Sequence, residues 1–168
     1  RELLGLPITS AGMAGLAYDI ERNDVGIKGG RQDQYAAAFG GFNFMEFNGE
    51  EVVVTPLRLS EYLINELEYN LILCFTGSRE SQPIIDSQME SAKNKEAAPL
   101  AAREQVKAIA YAMQQALLAS DLDRLGEMRH VGWLQKKQMA KGIATRRTAE
   151  LYAETRKAGA RAGQEAVQ

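Results

Sequence analysis

Between Ala11 and Arg22 the apolar residues Met13, Leu16, Ala17 and Ile20 recur at the i, i+3, i+4, i+7 spacing of one helical face, while Asp19, Glu21 and Arg22 fall elsewhere. The pattern predicts an amphipathic helix with Ser10 as its N-cap and Pro7 in the loop before it, because proline cannot continue a preceding helix. Gly26, Gly29 and Gly30 then mark a loop. The alanine-rich stretch from Gln32 to Phe39 reads as a short helix stopped by Gly40 and Gly41. At Phe42 the period changes. The runs Phe42 to Phe47 and Glu51 to Thr55 are aromatic or β-branched and meet across Asn48-Gly49, a pair that tolerates positive φ, so a β-hairpin is expected, closed by Pro56.

Ser60 to Leu67 has helical composition, and Leu71 to Phe75 reads as a compact strand interrupted by Thr76-Gly77. Beyond Ser78 the chain is mostly helical. Val106, Ile109, Ala110, Met113, Ala116 and Leu117 form one apolar stripe, and Ser120 or Asp121 caps a further helix running towards Lys141. The polar stretch from Glu90 to Pro99 is the expected flexible connection. The tail from Arg146 to Gln168 is helical by propensity, with few large apolar residues after Tyr152. These elements give an α+β fold class.

At 168 residues and 45% hydrophobic, the chain suffices for one domain with a real core, or for two small lobes sharing one. With 20 basic against 22 acidic residues the net charge is −2, which gives no global attraction to nucleic acid or to anionic lipid. The longest apolar stretch, around Leu71 to Phe75, is far too short to span a bilayer. Neither a nucleic-acid nor a membrane partner is expected. The lone cysteine, Cys74, excludes an internal disulfide and a cysteine-based zinc site and reads as a small buried group in a strand. Without an apolar leader, a soluble cytoplasmic protein is expected. Arg1 in place of an initial methionine suggests a shortened chain.

The residues with the clearest chemistry lie between Gly26 and Gly41. A glycine loop delivers Asp33 to a helix start, where the missing side chains let a small molecule approach the backbone and the first-turn N–H groups favour an anion. Asp33 either caps that helix or faces a substrate; spacing alone leaves both open. Lys28 and Arg31 beside it are candidates for a substrate phosphate or for transition-state charge, or are solvated loop charges. Arg79 follows the Leu71 strand and opens a helix, a position suited to holding an anion or to a surface ion pair with Glu80 or Asp86. His130, the only histidine, reads as a surface or packing residue, and Trp133 as core. Lys136, Lys137, Lys141, Arg146 and Arg147 lack interleaved aromatics and read as a solvated helix face.

The stretch Gly-Gly-Arg-Gln-Asp-Gln-Tyr-Ala-Ala-Ala-Phe-Gly-Gly-Phe-Asn-Phe at 29–44 resembles the GHMP kinases, and among them the bacterial D-glycero-D-manno-heptose 7-phosphate kinases. The resemblance extends through Leu16 to Arg22 and Phe75 to Ser81, and more weakly to Gly132-Trp133. It implies a partial GHMP fold. Residues 1–58 would be the end of the ribosomal-protein-like first lobe with its hairpin, and 59–168 a mostly helical, incomplete ferredoxin-like second lobe. The activity implied is ATP-dependent phosphorylation of the anomeric hydroxyl of a heptose phosphate, in the making of nucleotide-heptose for surface polysaccharide. By the same resemblance Asp33 serves as base or orienting group, Glu21 holds Mg²⁺, Lys28 meets the cofactor, and Arg31, Gln34, Tyr35 and Arg79 bind the sugar phosphate.

Neither the family's Pro-x-x-x-Gly-Leu-Gly-Ser-Ser phosphate loop nor its second glycine-rich motif occurs in this sequence. That implies a kinase truncated at both ends and lacking the ATP loop. The alternative is an inactive fragment or pseudokinase acting as an interaction module, self-associating through uncovered apolar surface.

Overall fold

The computed structural model describes residues 5, 7–75, 83, 85–87, 94, 97–139 and 144–162. The chain divides into two compact units, Arg1–Arg58 and Leu59–Gln168.

In the first unit, α1 (Ser10–Asp19) is capped one residue earlier than the sequence suggests. The Thr9 hydroxyl accepts a hydrogen bond from the Gly12 N–H at 3.0 Å, and Ser10 is already helical. The helix then widens into a π-helical turn, Ile20–Asp24, an arrangement often found at functional sites. The apolar face expected from periodicity is not the buried one. Leu16 and Ile20 are 54% and 45% exposed, whereas Ala14 is completely buried and Tyr18, Glu21 and Arg22 are half-buried. α1 packs on α2 (Gln32–Phe39), and the residue it buries is the small Ala14, a choice that hydrophobic periodicity does not record.

α2 stops at Gly40, whose N–H still bonds to the Ala36 carbonyl at 2.9 Å while its φ of +65° turns the following chain out of the helix. Asn43 donates to the Gly40 carbonyl at 2.6 Å, tying the helix end to the sheet. Strands β1 (Asn43–Asn48) and β2 (Glu51–Pro56) pair antiparallel, with Phe44 opposite Thr55 and Phe47 opposite Val52. Their turn is Gly49-Glu50 rather than Asn48-Gly49, since Asn48 pairs with Glu51. Only Gly49, at φ +63°, has positive φ there, which is the type II′ pattern. The one-residue difference puts Glu50 at the hairpin tip.

The second unit is helical. Ser60 caps α3 (Glu61–Asn70), accepting from the Leu63 N–H at 3.2 Å, and Leu63 is buried. Residues 71–75 form no strand, contrary to the reading of this short apolar run. Ile72, Leu73 and Phe75 are at least 88% exposed, and Cys74 is exposed rather than buried. A β segment needs a neighbour for its backbone groups, and among the described residues the only sheet is β1–β2. α4 (Ala97–Leu118) begins inside the expected linker, with Pro99 in its first turn, where its missing N–H costs nothing.

Asp121 caps α5 (Leu122–Met139), accepting from the Arg124 N–H at 2.9 Å. α4 and α5 form a helical hairpin whose core holds Ala102, Ile109, Ala116, Leu125 and Trp133. Ala110, placed in the stripe by periodicity, is exposed. α6 (Arg146–Lys157) is capped by Thr145 and meets α5 through Tyr152, stacked on His130 with ring centroids 5.9 Å apart and tilted against Trp133 at 6.1 Å. Past α6, Arg161 pairs with Asp123 at 2.9 Å. A side chain on Gly126 would meet the Arg161 Cβ at 2.9 Å, so this approach requires glycine.

His130 Nδ1 shares a hydrogen bond with the Tyr152 hydroxyl, and desolvation, followed by the charges of Arg156 and Lys137, lowers its pKa from the ordinary 6.5. The unfolded chain therefore binds this proton more readily than the folded one. The contribution is complete above about pH 6.5 and is lost as pH falls below it. Thermal melts followed by circular dichroism should show the helical unit weakening between about pH 7 and pH 5, and His130→Gln should flatten part of that slope. An unchanged slope in the variant would refute the assignment. Among the described residues, no helix is long and apolar enough to cross a membrane, and no group of three His, Cys, Asp or Glu residues is placed to hold a metal.

Candidate functional site

The π-turn after α1 ends with the Val25 N–H bonded to the Ile20 carbonyl at 3.0 Å and the Ile27 N–H to the Glu21 carbonyl at 2.9 Å. Gly26, at φ +78°, supplies the reversal between them and the segment leading to α2. The Arg22 guanidinium fills the inside of this loop. One Nη donates to the Ile27 carbonyl and the other to the Gly30 carbonyl, each at 2.6 Å, and the side chain is only 15% exposed. A Cβ on Gly29 would lie 2.8 Å from the Arg22 Nη2, so this position has room for no side chain. Tyr18, one turn earlier on α1, has the Arg22 cation 5.2 Å and the Arg31 cation 5.0 Å from its ring centre.

α2 starts immediately after Arg31, whose side chain makes no capping bond. Asp33 is therefore not the cap. It sits in the first helical turn, exposed, and its carboxylate forms no hydrogen bond or ion pair with the described residues. The uncompensated N–H groups of that turn favour its negative charge. Gln34, one position on, turns inward and donates from Nε2 to the Glu21 Oε2, while its own Oε1 is buried without a partner among the described residues. Glu21 Oε2 also lies 3.5 Å from Arg22, and the side chain is 40% exposed. Its second oxygen, Oε1, has no described partner.

Tyr35 joins α2 to the hairpin, stacked on Phe39 at 6.1 Å and edge-on to Phe47 at 5.8 Å. With Gly15, Tyr18, Asp19, Arg31 and Glu50 it lines a depression of about 440 Å³. The Gly49-Glu50 turn brings Glu50 to 3.4 Å from Arg31. Glu50 is 97% exposed, so this pair is held weakly against solvent. Partial burial opposes the Arg31 charge, but the Glu50 carboxylate and the Tyr18 hydroxyl outweigh it and raise the Arg31 pKa.

Two of the residues picked out by sequence, Arg31 and Tyr35, thus line the depression, and two more, Glu21 and Gln34, are joined to each other. Asp33 opens to solvent instead of lining that depression, and Lys28 is exposed in the loop. Arg79 lies outside the described residues. Sequence reasoning passed over Arg22, Tyr18 and Glu50. Arg22 carried one usable signal, a cation directly ahead of a glycine loop whose carbonyls need donors.

No family model matches the chain. A D-glycero-α-D-manno-heptose 7-phosphate kinase of Campylobacter jejuni is 39% identical over 153 residues, which cover 90% of this chain and 44% of that protein. The crystal structure of a D-glycero-D-manno-heptose 1-phosphate kinase from Bacteroides thetaiotaomicron superposes with a TM-score of 0.68 at 34% identity, over 98% of this chain and 44% of that one. The chain spans less than half the length of each of these two proteins.

Proposed function

We propose, from the premise that this chain is homologous to the bacterial heptose phosphate kinases, that it carries the acceptor side of a sugar-phosphate kinase. Both similar proteins are named for phosphorylated heptoses, though with the phosphate at different positions. The reaction is transfer of the γ-phosphoryl group of ATP to a sugar hydroxyl, with the anomeric hydroxyl of heptose 7-phosphate as the acceptor. The observation that carries this reading is Asp33: an exposed, unpaired carboxylate in a helix's first turn, directly after a clamped glycine loop.

Asp33 would orient the acceptor hydroxyl and take its proton as the sugar oxygen bonds to phosphorus and ADP departs. Arg31 and Tyr35, side by side on the depression, would hold the sugar phosphate. Arg31 supplies a guanidinium that a phosphate can draw away from the solvated Glu50. Glu21 would hold Mg²⁺ through Oε1, with Gln34 fixing the other oxygen. Bound magnesium supplies charge neutralisation on the phosphoryl oxygens. The glycine-rich ATP loop has no counterpart in these 168 residues, so the nucleotide would be cradled by sequence other than this.

The test is a chimera in which this chain replaces the matching segment of the Campylobacter kinase, assayed for ATP-dependent phosphorylation of heptose 7-phosphate. Turnover is expected. A chimera that folds and binds both substrates yet transfers nothing would sink the reading. The rival, a catalytically silent interaction module, is favoured by the missing loop motif. Nucleotide calorimetry on this chain, beside one extended through both glycine motifs, separates the two: the rival expects no heat of binding from either.

A further inference from the structure

In the loop before α2, two carbonyls separated by three residues, Ile27 and Gly30, point at one guanidinium. Arg22 donates to both at 2.6 Å, with its side chain 15% exposed and its Nε buried without a partner among the described residues. A planar fork satisfies such a pair, whereas a lysine ammonium reaches them only as a point charge on a flexible stem. The fork is itself held, on one side by the Tyr18 ring at 5.2 Å and on another by Glu21 at 3.5 Å. Gly29 closes the remaining side, since a Cβ there would lie 2.8 Å from Nη2. The loop has no hydrophobic anchor of its own, because Val25 and Ile27 are 62% and 45% exposed.

We infer that Arg22 is the positioning residue of this site: its guanidinium clamps residues 26–30 from within and thereby sets where the first turn of α2, and Asp33 on it, stands. Gly30 is three residues from Asp33, with only Arg31 and Gln32 between. A loop free to move by an ångström would carry the carboxylate with it. The same guanidinium sits beside Glu21, so one cation holds the register between the acidic end of α1 and the start of α2. The inference rests on reading Asp33 as the group at the acceptor oxygen, but the clamp is measurable without any reaction.

Amide ¹⁵N relaxation on this chain gives the first readout. Residues 26–31 should have order parameters of about 0.85 in the parent, falling below about 0.6 in Arg22→Lys, with the helices α4 and α5 unaffected. Gly29→Ala, which displaces the guanidinium while leaving Arg22 in place, should loosen the same residues. It also serves if Arg22→Lys folds poorly. In the Campylobacter chimera, Arg22→Lys should lower kcat by roughly 10–100-fold while KM for ATP stays within about twofold, and millimolar guanidinium should restore part of the loss in Arg22→Ala. A loop that stays rigid in both Arg22→Lys and Gly29→Ala overturns the inference. So does a loosened loop with unchanged turnover in a chimera that Asp33→Asn inactivates. Activity surviving Asp33→Asn sinks the kinase reading instead, and the relaxation data still decide the clamp.

Discussion

Replacing Asp33 by Asn should lower phosphoryl transfer in the chimera by about 10²–10⁴-fold, the range contributed by a positioned acid or base. kcat and kcat/KM should fall together, because the proton is handled only as the transition state forms. Fold stability should hardly move. The carboxylate is exposed and makes no bond with the described residues, so the only structural loss is its interaction with the α2 N-terminus, about 0.3–1 kcal/mol. Side-by-side kinetics and melting of parent and variant provide the check. A variant that retains a third or more of the parent's turnover would remove Asp33 from the chemistry, and one that unfolds would show its role to be structural.

The largest expected effect on stability lies in the other unit. Trp133 is 4% exposed on α5, contacts Tyr152 of α6, and has the Lys137 ammonium 5.9 Å from its ring centre. Trp133→Ala should cost about 3–5 kcal/mol, because the transfer energy of the indole is lost and the hole between the helices cannot fully close. Domains of this size are stable by only about 5–15 kcal/mol, so that loss is a large fraction of the whole. The helical transition should drop by at least about 12 °C, read by circular dichroism because Trp133 is the only tryptophan. Leu134→Ala next to it, at a side chain 39% exposed, should cost under about 1 kcal/mol. Equal melting temperatures for Trp133→Ala and the parent would show that α6 is not docked on α5 through this ring.

The two variants probe features of opposite legibility. Trp133 reads as core directly from its apolar neighbours, and the stripe from Val106 to Leu117 reads as the inner face of a long helix; both hold, apart from Ala110. Asp33 after a glycine loop, at a helix start, is legible too, though only the coordinates separate a capping aspartate from a free one. Most helical expectations held because a helix satisfies its own backbone within four residues, so local spacing carries most of the information; the tail is an exception, since its helix ends at Lys157 and residues 158–162 are not helical.

What failed depended on partners far along the chain. Leu71 to Phe75 has the composition of a strand, but none of the described residues pairs with it. Leu16 and Ile20 have the spacing of a buried face, but Ala14 is buried instead and those two are exposed. Arg22 looked like one more charge on a helix until the loop folded back and put two carbonyls around its guanidinium. The sequence by itself therefore determined most of the helical stretches, where the hairpin lies and which glycine segment carries Asp33, since all of these are set by neighbours within a few residues. The tertiary structure alone decided which face is buried and which cation holds the loop, because those depend on contacts that exist only once separate elements meet.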